Sequence, residues 1–290
     1  YLLGRRGRSD LFTSDAGWYA DHSVELRTGR RVVCLDAARC AVTLDSGEEI
    51  GFDRLLLATG AAPRQLRIAG ADLPNLFYLR TLEDADRLHN AIEQARAAGR
   101  RHDTGRGRAV VVGSGILAAE LAATLHQCGL AVDVAAVKSH MWDRFASEQT
   151  GRYAARVLES HGIRIRAGVS PVRLEGDGRV QRVVLSDGSS LECDFVAAAV
   201  GVSPNKELLR GTSIASEKAI LVDEFCRTSH AHIYAAGDCA AIRDPRYGKY
   251  RQLDHWQSAV EMGRIAGAAM AEKPVAYSQI SHFSTTLFQT

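Results

Sequence analysis

The sequence predicts an α/β fold in which one structural unit is built twice. Three observations carry this. The stretch 41–64 (AVTLDSGEEIGFDRLLLATGAAPR) returns at 182–205 (RVVLSDGSSLECDFVAAAVGVSPN) without a gap, residue 41 falling on 182 and residue 64 on 205, a constant offset of 141. Buried-strand runs such as 108–112 (RAVVV) alternate with helix-period stretches, the order that builds parallel sheets covered by helices. One of those runs ends in the glycine-rich turn Gly113-Ser114-Gly115-Ile116-Leu117-Ala118, with a helix-period stretch immediately behind it.

Composition agrees with two packed domains. At 290 residues, 46% hydrophobic and 24% charged, the chain is too long for one ordinary domain and has the apolar content for real cores. A net charge of +2 is too small for a dedicated nucleic-acid binder, whose affinity comes from neutralising phosphates. The longest apolar stretches, such as 195–200, fall well short of the roughly 20 residues that span a bilayer, so no membrane segment is expected. Six cysteines (34, 40, 128, 193, 226, 239) form no CxxC pair, which argues against a zinc ribbon or a thioredoxin-type redox pair and for reduced thiols in a cytoplasmic setting.

The elements follow in order. Residues 1–20 are a loop and helix leading in. Residues 31–60 are strands with a hairpin, and 81–98 is an amphipathic helix opened by Thr81 with Asp84 three residues on. The stretch 99–107 (GRRHDTGRG) reads as a solvated hinge between domains, with a basic nucleic-acid patch as the rival reading. In the strand–turn–helix that follows, Gly113 permits the tight turn and Gly115 lets backbone approach a pyrophosphate. Ala118 lets the helix pack close, and the helix N-terminus presents N–H groups and positive dipole to phosphate. The helix 119–127 stops at Gly129. Then come strand 132–137, helix 147–160, strand 162–167 and the second copy of the repeat. A short strand within 231–242 runs through Ala-Ala-Gly-Asp, and 253–271 is a long helix. Both copies share Val42/Val183, Leu44/Leu185, Gly47/Gly188, Asp53/Asp194, Ala58/Ala199, Gly60/Gly201 and Pro63/Pro204. The glycine turn of the first copy would fall near position −28 (113 − 141), before Tyr1, so the chain is expected to be a fragment holding the back of one nucleotide-binding unit and the whole of a second.

The ordered set LLLATG (55–60), YLRTLEDA (78–85), VVVGSGILAAE (110–120), GVSPN (201–205), IYAAGDCA (233–240) and HWQSAVEMG (255–263) resembles the FAD-dependent pyridine nucleotide-disulfide oxidoreductases. It is similar above all to the ferredoxin and rubredoxin reductases and the flavin part of NAD(P)H nitrite reductase. The resemblance implies two Rossmann-like, three-layer dinucleotide-binding domains, the FAD domain split around an inserted NAD(P)H domain and incomplete at its N-terminus. In these terms 1–100 is the back portion of the FAD domain, 106–222 the NAD(P)H domain, 223–280 the FAD domain's return segment and 281–290 the start of a truncated C-terminal domain.

The same resemblance assigns roles. Asp238, on the turn after Gly237, would accept hydrogen bonds from ribityl hydroxyls of FAD. Thr59 and Gly60 would close their strand beside the flavin cofactor, and Arg80 would contact FAD. Val32 would lie near the adenine end, a plain core valine being the competing reading. Trp256 would open a helix aimed at the flavin, with a buried core Trp as its rival. For NAD(P)H the set is Gly113, Ser114, Gly115, Ile116, Ala118 and Gly201, with Glu120 facing the nicotinamide amide. A ribose-reading acid is expected roughly 20 residues beyond the glycines, but that position is Ala136, and Lys138, His140 and Arg144 follow. These cations would suit a 2′-phosphate, which tips the reading slightly toward NADPH over NADH; loss of nucleotide binding is a third option.

The function implied is hydride transfer from NAD(P)H to FAD and onward transfer of electrons to an acceptor such as a redox protein. No acid or base residue is needed for it, because the cofactors carry that chemistry. Two other readings stay open: a single-nucleotide NAD(P)-dependent dehydrogenase, and a non-enzymatic nucleotide-sensing flavoprotein.

Overall fold

The computed structural model describes residues 1–99, 105–282 and 284–288. A 3-10 turn (Ser9–Leu11) and α1 (Ala16–Asp21) precede β1 (Val32–Asp36), β2 (Ala41–Leu44), β3 (Glu49–Gly51), β4 (Leu55–Leu57), β5 (Ala61–Pro63) and β6 (Leu76–Phe77). Next come α2 (Leu82–Gly99), β7 (Arg108–Val112), α3 (Ile116–Gln127), β8 (Ala131–Ala136), α4 (Glu148–Ser160) and β9 (Arg164–Ala167). Strands β10 (Pro171–Glu175), β11 (Arg182–Leu185), β12 (Ser190–Glu192), β13 (Phe195–Ala198), β14 (Val202–Pro204), β15 (Ile220–Val222) and β16 (Ile233–Ala235) follow. A 3-10 turn (Gly237–Cys239), β17 (Ala240–Asp244), β18 (Lys249–Gln252) and α5 (Trp256–Met270) complete the order.

The chain divides into two compact units, one drawn from 1–13, 63–202 and 285–290, the other from 14–62 and 203–284. The first contains a five-stranded parallel sheet in the order β6-β13-β7-β8-β9. Its central strands β13, β7 and β8 are buried on both faces, which is why they read as largely apolar runs. Ala109, Val111, Val132, Val134, Phe195 and Ala197 point into a core shared with α2, α3 and α4. Their neighbours Val110, Val112, Ala135 and Val196 point the other way, into a core shared with the meander β10-β11-β12. Helices, parallel sheet and meander make the three layers. The second unit holds the meander β1-β2-β3, the parallel pair β16-β4, the sheet β15-β17-β18 and α5 around one core.

The two copies of the repeat fold alike. β1 pairs with β2 as β10 pairs with β11, in the same register and with a bulge at the same place (Asp36↔Ala41 and Glu175↔Arg182, the shift falling at Val32/Cys34 and Pro171/Arg173). The hairpin glycines match, Gly47 at φ 84° and Gly188 at φ 83°. At the end of each copy the same bond is made to the other: Arg64 N–H donates to the Gly201 carbonyl (3.0 Å) and Asn205 N–H to the Gly60 carbonyl (2.9 Å).

The segment after each copy joins the other copy's sheet. β6 follows the first copy but pairs with β13 of the second, and β16 follows the second copy but pairs with β4 of the first. The unit boundaries therefore fall at 62/63 and 202/203, not near 100 and 222. Residues 63–99 lie with the glycine turn, because Leu88, Ala91, Ile92 and Ala95 of α2 share the core of α3. The stretch 99–107, expected to be a hinge, falls largely on residues 100–104, which lie outside the described residues; α2 and β7 on either side of it belong to one unit. Residues 284–288 form no strand; Leu287 is buried in the helix-side core and Phe288 stacks on His161 with ring centroids 3.6 Å apart.

Candidate functional site

In the first unit the site is the turn between β7 and α3. Gly113 N–H donates to the Ala135 carbonyl at 2.9 Å, tying the turn to the end of β8. Gly113 has φ 144°, and a Cβ there would run into the Ala199 carbonyl and crowd the Ala118 methyl. Only glycine allows β7, β13 and α3 to converge this closely. Gly115, with φ −81°, caps α3 and behaves differently: a Cβ built on it meets nothing within 4 Å. The space a side chain would fill is left open in front of a helix N-terminus, where backbone N–H groups and the helix dipole favour an anion. Ser114, Gly115 and Ile116 are half-buried, and Ala118 is fully buried, packing α3 onto the sheet. Glu120, one turn into α3, is half-buried and its Oε1 accepts from Thr285 Oγ1 at 2.7 Å. Gly201 lies at φ 97° just before β14.

A contact that periodicity does not reveal closes this site. After β8 the chain turns back so that Trp142 N–H donates to the Ser114 carbonyl at 2.7 Å. The loop carrying Lys138 is thereby bound to the glycine turn. Lys138 is exposed and pairs with Asp143 (Nζ–Oδ2 3.5 Å). Within β8 itself, Asp133 is buried and receives two hydrogen bonds from Arg164 of β9, at 2.8 and 2.6 Å. That pairing raises the Arg164 guanidinium further above its ordinary pKa.

In the second unit Thr59 and Gly60 end the strand–turn after β4. They are fastened by Asn205, whose side-chain N–H donates to the Thr59 carbonyl (2.8 Å), while Thr59 Oγ1 donates to the Asn205 carbonyl (2.7 Å). Asn205 aligns with Arg64 in the repeat. The end of β4 also receives the turn bearing Gly237 and Asp238, through Ala236 N–H (3.0 Å) and Cys239 Sγ (3.4 Å), both to the Leu57 carbonyl. Gly237 in turn lies against Ala259 of α5, 3.5 Å from the position of a Cβ. Thr59, Gly60, Gly237, half-buried Asp238 and the first turns of α5 are therefore collected together.

α5 is capped by His255, whose Nδ1 accepts from Ser258 N–H at 3.3 Å and whose Nε2 meets Ser281 Oγ at 2.8 Å. Trp256 is 67% exposed, which removes the buried-core reading. Val32 is half-buried and lines a cleft of about 330 Å³ with Val42, Leu44 and Ile50 below and Arg27 and Arg30 at the rim. Arg80 falls in the first unit, apart from the other residues assigned to FAD. Its N–H and that of Thr81 donate to Asp84 Oδ2 (3.0 and 2.9 Å) in the box that opens α2. Burial alone would raise the Asp84 pKa, but the Thr81 N–H, the Arg87 guanidinium and the Arg80 N–H outweigh it and hold the carboxyl below its usual range.

The profile of the pyridine nucleotide-disulphide oxidoreductases matches residues 6–263. The chain belongs to that family. Among its relatives, the ferredoxin–NAD(+) reductase component of the biphenyl dioxygenase system of Paraburkholderia xenovorans is 34% identical over 92% of this chain and 62% of its own length. A crystal structure of a ferredoxin reductase from Rhodopseudomonas palustris superposes with a TM-score of 0.88 at 31% identity, covering 96% of this chain and 66% of that one. The reductase in a covalent putidaredoxin reductase–putidaredoxin complex superposes with a TM-score of 0.91 at 26% identity, over 100% and 68%. The chain spans about three-fifths to two-thirds of the length of these relatives. Among the described residues no group of three or more His, Cys, Asp or Glu is placed to hold a metal ion, and no described helix is long and apolar enough to cross a membrane.

Proposed function

We propose that this chain carries the nucleotide-binding parts of a flavoprotein that oxidises NAD(P)H. The carrying observation is the open cradle at Gly115, in front of the N-terminus of α3 and built into one of two folded copies of the same unit. Family membership supports FAD and NAD(P)H as the cofactors. A flavin, when bound, would supply hydride-accepting and electron-transfer chemistry that no side chain of the chain provides.

The chain's own residues bind and orient. Ser114, Gly115 and Ile116 offer backbone to the NAD(P)H pyrophosphate, Gly113 lets the turn pack against β13, Ala118 lets α3 approach, and Gly201 borders the same unit's sheet. Glu120 presents a carboxylate acceptor to the nicotinamide amide once Thr285 releases it. For FAD, Asp238 accepts from ribityl hydroxyls, Thr59 and Gly60 give it a rigid backbone edge, and Val32 touches its outer part. The positive end of α5, opened by Trp256, favours the charge that builds on a reduced flavin. The NAD(P)H domain in this reading is the first unit, and the second belongs to a FAD domain split around it. The acceptor is a small redox protein, by analogy with the named partners of the relatives, and the six free cysteines fit a cytoplasmic setting.

The test is anaerobic reduction. The protein supplied with FAD should bind it, and its yellow absorbance should bleach on adding NAD(P)H. A chain that binds neither FAD nor NAD(P)H refutes the reading.

A further inference from the structure

We infer that His255 is the positioning residue of α5 and does this work only while its ring is uncharged, so that pH sets the helix end offered to the flavin. This rests on the flavin reading of α5 given above and names the residue that governs it.

An N-cap residue accepts from a backbone N–H of the first turn, and serine, threonine, asparagine and aspartate are the usual choices. Here the acceptor is an imidazole nitrogen: His255 Nδ1 takes the Ser258 N–H at 3.3 Å. A ring nitrogen that accepts carries no proton, so the one proton of the neutral ring sits on Nε2. Nε2 lies 2.8 Å from Ser281 Oγ and 3.1 Å from Ser258 Oγ, and the two hydroxyls are 3.2 Å apart. Nε2–H donates to Ser281, and the hydroxyls complete the cluster. Ser258 is buried, so water cannot replace a partner lost there. The ring thereby joins the start of α5 to the chain that leaves its far end. That chain is held by buried Tyr277, whose N–H donates to the Glu224 carbonyl at 2.8 Å, before it returns at Ser281.

A second proton on the ring destroys this arrangement. Nδ1–H would face the Ser258 N–H, donor against donor, and the new charge would stand at the positive end of the helix dipole. A serine or asparagine cap has no such state, whereas histidine is the side chain that ordinarily changes charge between pH 5 and 8. Other ionisable groups sit on the segments that meet here. Asp238 is on the turn packed against Ala259 through Gly237, and His282 follows Ser281. Asp254 Oδ1 accepts from Gln252 Nε2 at 2.7 Å, and Glu261, in the second turn of α5, pairs with Arg264 at 3.0 Å. These groups move the pH at which the ring charges, not the clash that follows. With the cap lost, the first turn of α5 frays, and the N–H groups that favour charge on a reduced flavin lose their alignment.

Imidazole nitrogen NMR of the 290-residue chain, assigned against His255→Ser, reads the tautomer directly. At about pH 8 Nδ1 should be bare and Nε2 protonated, and the opposite tautomer overturns the inference. Exchange of the Ser258 amide, expressed relative to a free peptide at each pH, should quicken about tenfold as His255 titrates, the joint effect of a lost cap and a cation at the helix start. His255→Ser and His255→Asn, which cap without titrating, should remove that step, whereas His255→Ala should leave the amide open at every pH. Protection that holds steady through the titration of the parent overturns the inference. In protein loaded with FAD, bleaching by NADH or NADPH, whichever reduces it at about pH 8, should slow through the same titration in the parent and not in His255→Ser. Equal slowing in both overturns the positioning role. A chain that takes up no flavin refutes the flavin reading, while the tautomer and exchange measurements still decide the cap.

Discussion

Gly113 and Gly115 look equivalent in a fingerprint, yet the structure gives them different work, and alanine at each should separate fold from binding. Gly113→Ala places an L-residue at φ 144° and drives its methyl into the Ala199 carbonyl. The backbone conformation costs roughly 1–3 kcal/mol and the forced shift of packed backbone a similar amount, so about 2–6 kcal/mol in all. For a domain of this size that lowers Tm by roughly 4–24 °C. Gly115→Ala keeps an ordinary φ of −81° and meets nothing within 4 Å. Its stability cost is that of a poorer cap, roughly 0.5–1 kcal/mol. Its methyl, however, stands between the helix N-terminus and a phosphate. Loss of even one hydrogen bond to a charged group, roughly 1.5–3 kcal/mol, weakens nucleotide binding at least about tenfold. Thermal unfolding followed by calorimetric titrations with NADH and with NADPH reads both quantities. A Gly115→Ala protein that binds like the parent refutes the cradle, and a Gly113→Ala protein that melts like the parent refutes the packing argument.

Other expectations follow from the same geometry. Asp244 is fully buried, bonded by Arg246 (3.1 and 3.0 Å) and Arg251 (2.9 Å). Burial pushes its carboxyl up, but the two guanidinium partners prevail and hold it below the ordinary range. A depressed pKa contributes stability at pH above about 4 that is lost as pH falls through the lowered value. Urea unfolding across acidic pH should show that loss, and Asp244→Ala should destabilise by about 3–5 kcal/mol and flatten the profile. Arg164→Ala strands the Asp133 carboxylate, which is 4% exposed, and should cost about 3 kcal/mol, whereas Asp133→Leu with Arg164→Leu should recover most of it; a double variant as weak as the single one counts against a desolvated pair. Asp238→Ala should lower flavin content by removing one or two charge-assisted contacts, roughly 1.5–3 kcal/mol each, and unchanged content after purification contradicts its role. Cys193 and Cys226 are buried, and burial pushes each thiol up to about 12, so both should resist alkylation until the protein unfolds, while exposed Cys34 reacts at once.

The repeat, the glycine turn and the capping box of α2 were all legible in the residues, because each is a local matter. Hairpin register follows from alternation and a glycine with positive φ, and a helix start follows from Thr81 and Asp84 exchanging hydrogen bonds. These short-range preferences determined the α/β class, the strands of both copies and the location of the phosphate cradle. What tertiary structure alone decided is which surfaces meet. Nothing in residues 63–99 announces that β6 will pair with β13 of the later copy, since a two-residue apolar strand fits either sheet and only the burial of α2 against α3 selects one. The same holds for the strap from Trp142 to Ser114, the Asn205 clasp on Thr59 and the docking of Phe288 on His161. Each joins positions distant in sequence through backbone or ring contacts, and contacts of that kind leave no periodic trace in the order of the side chains.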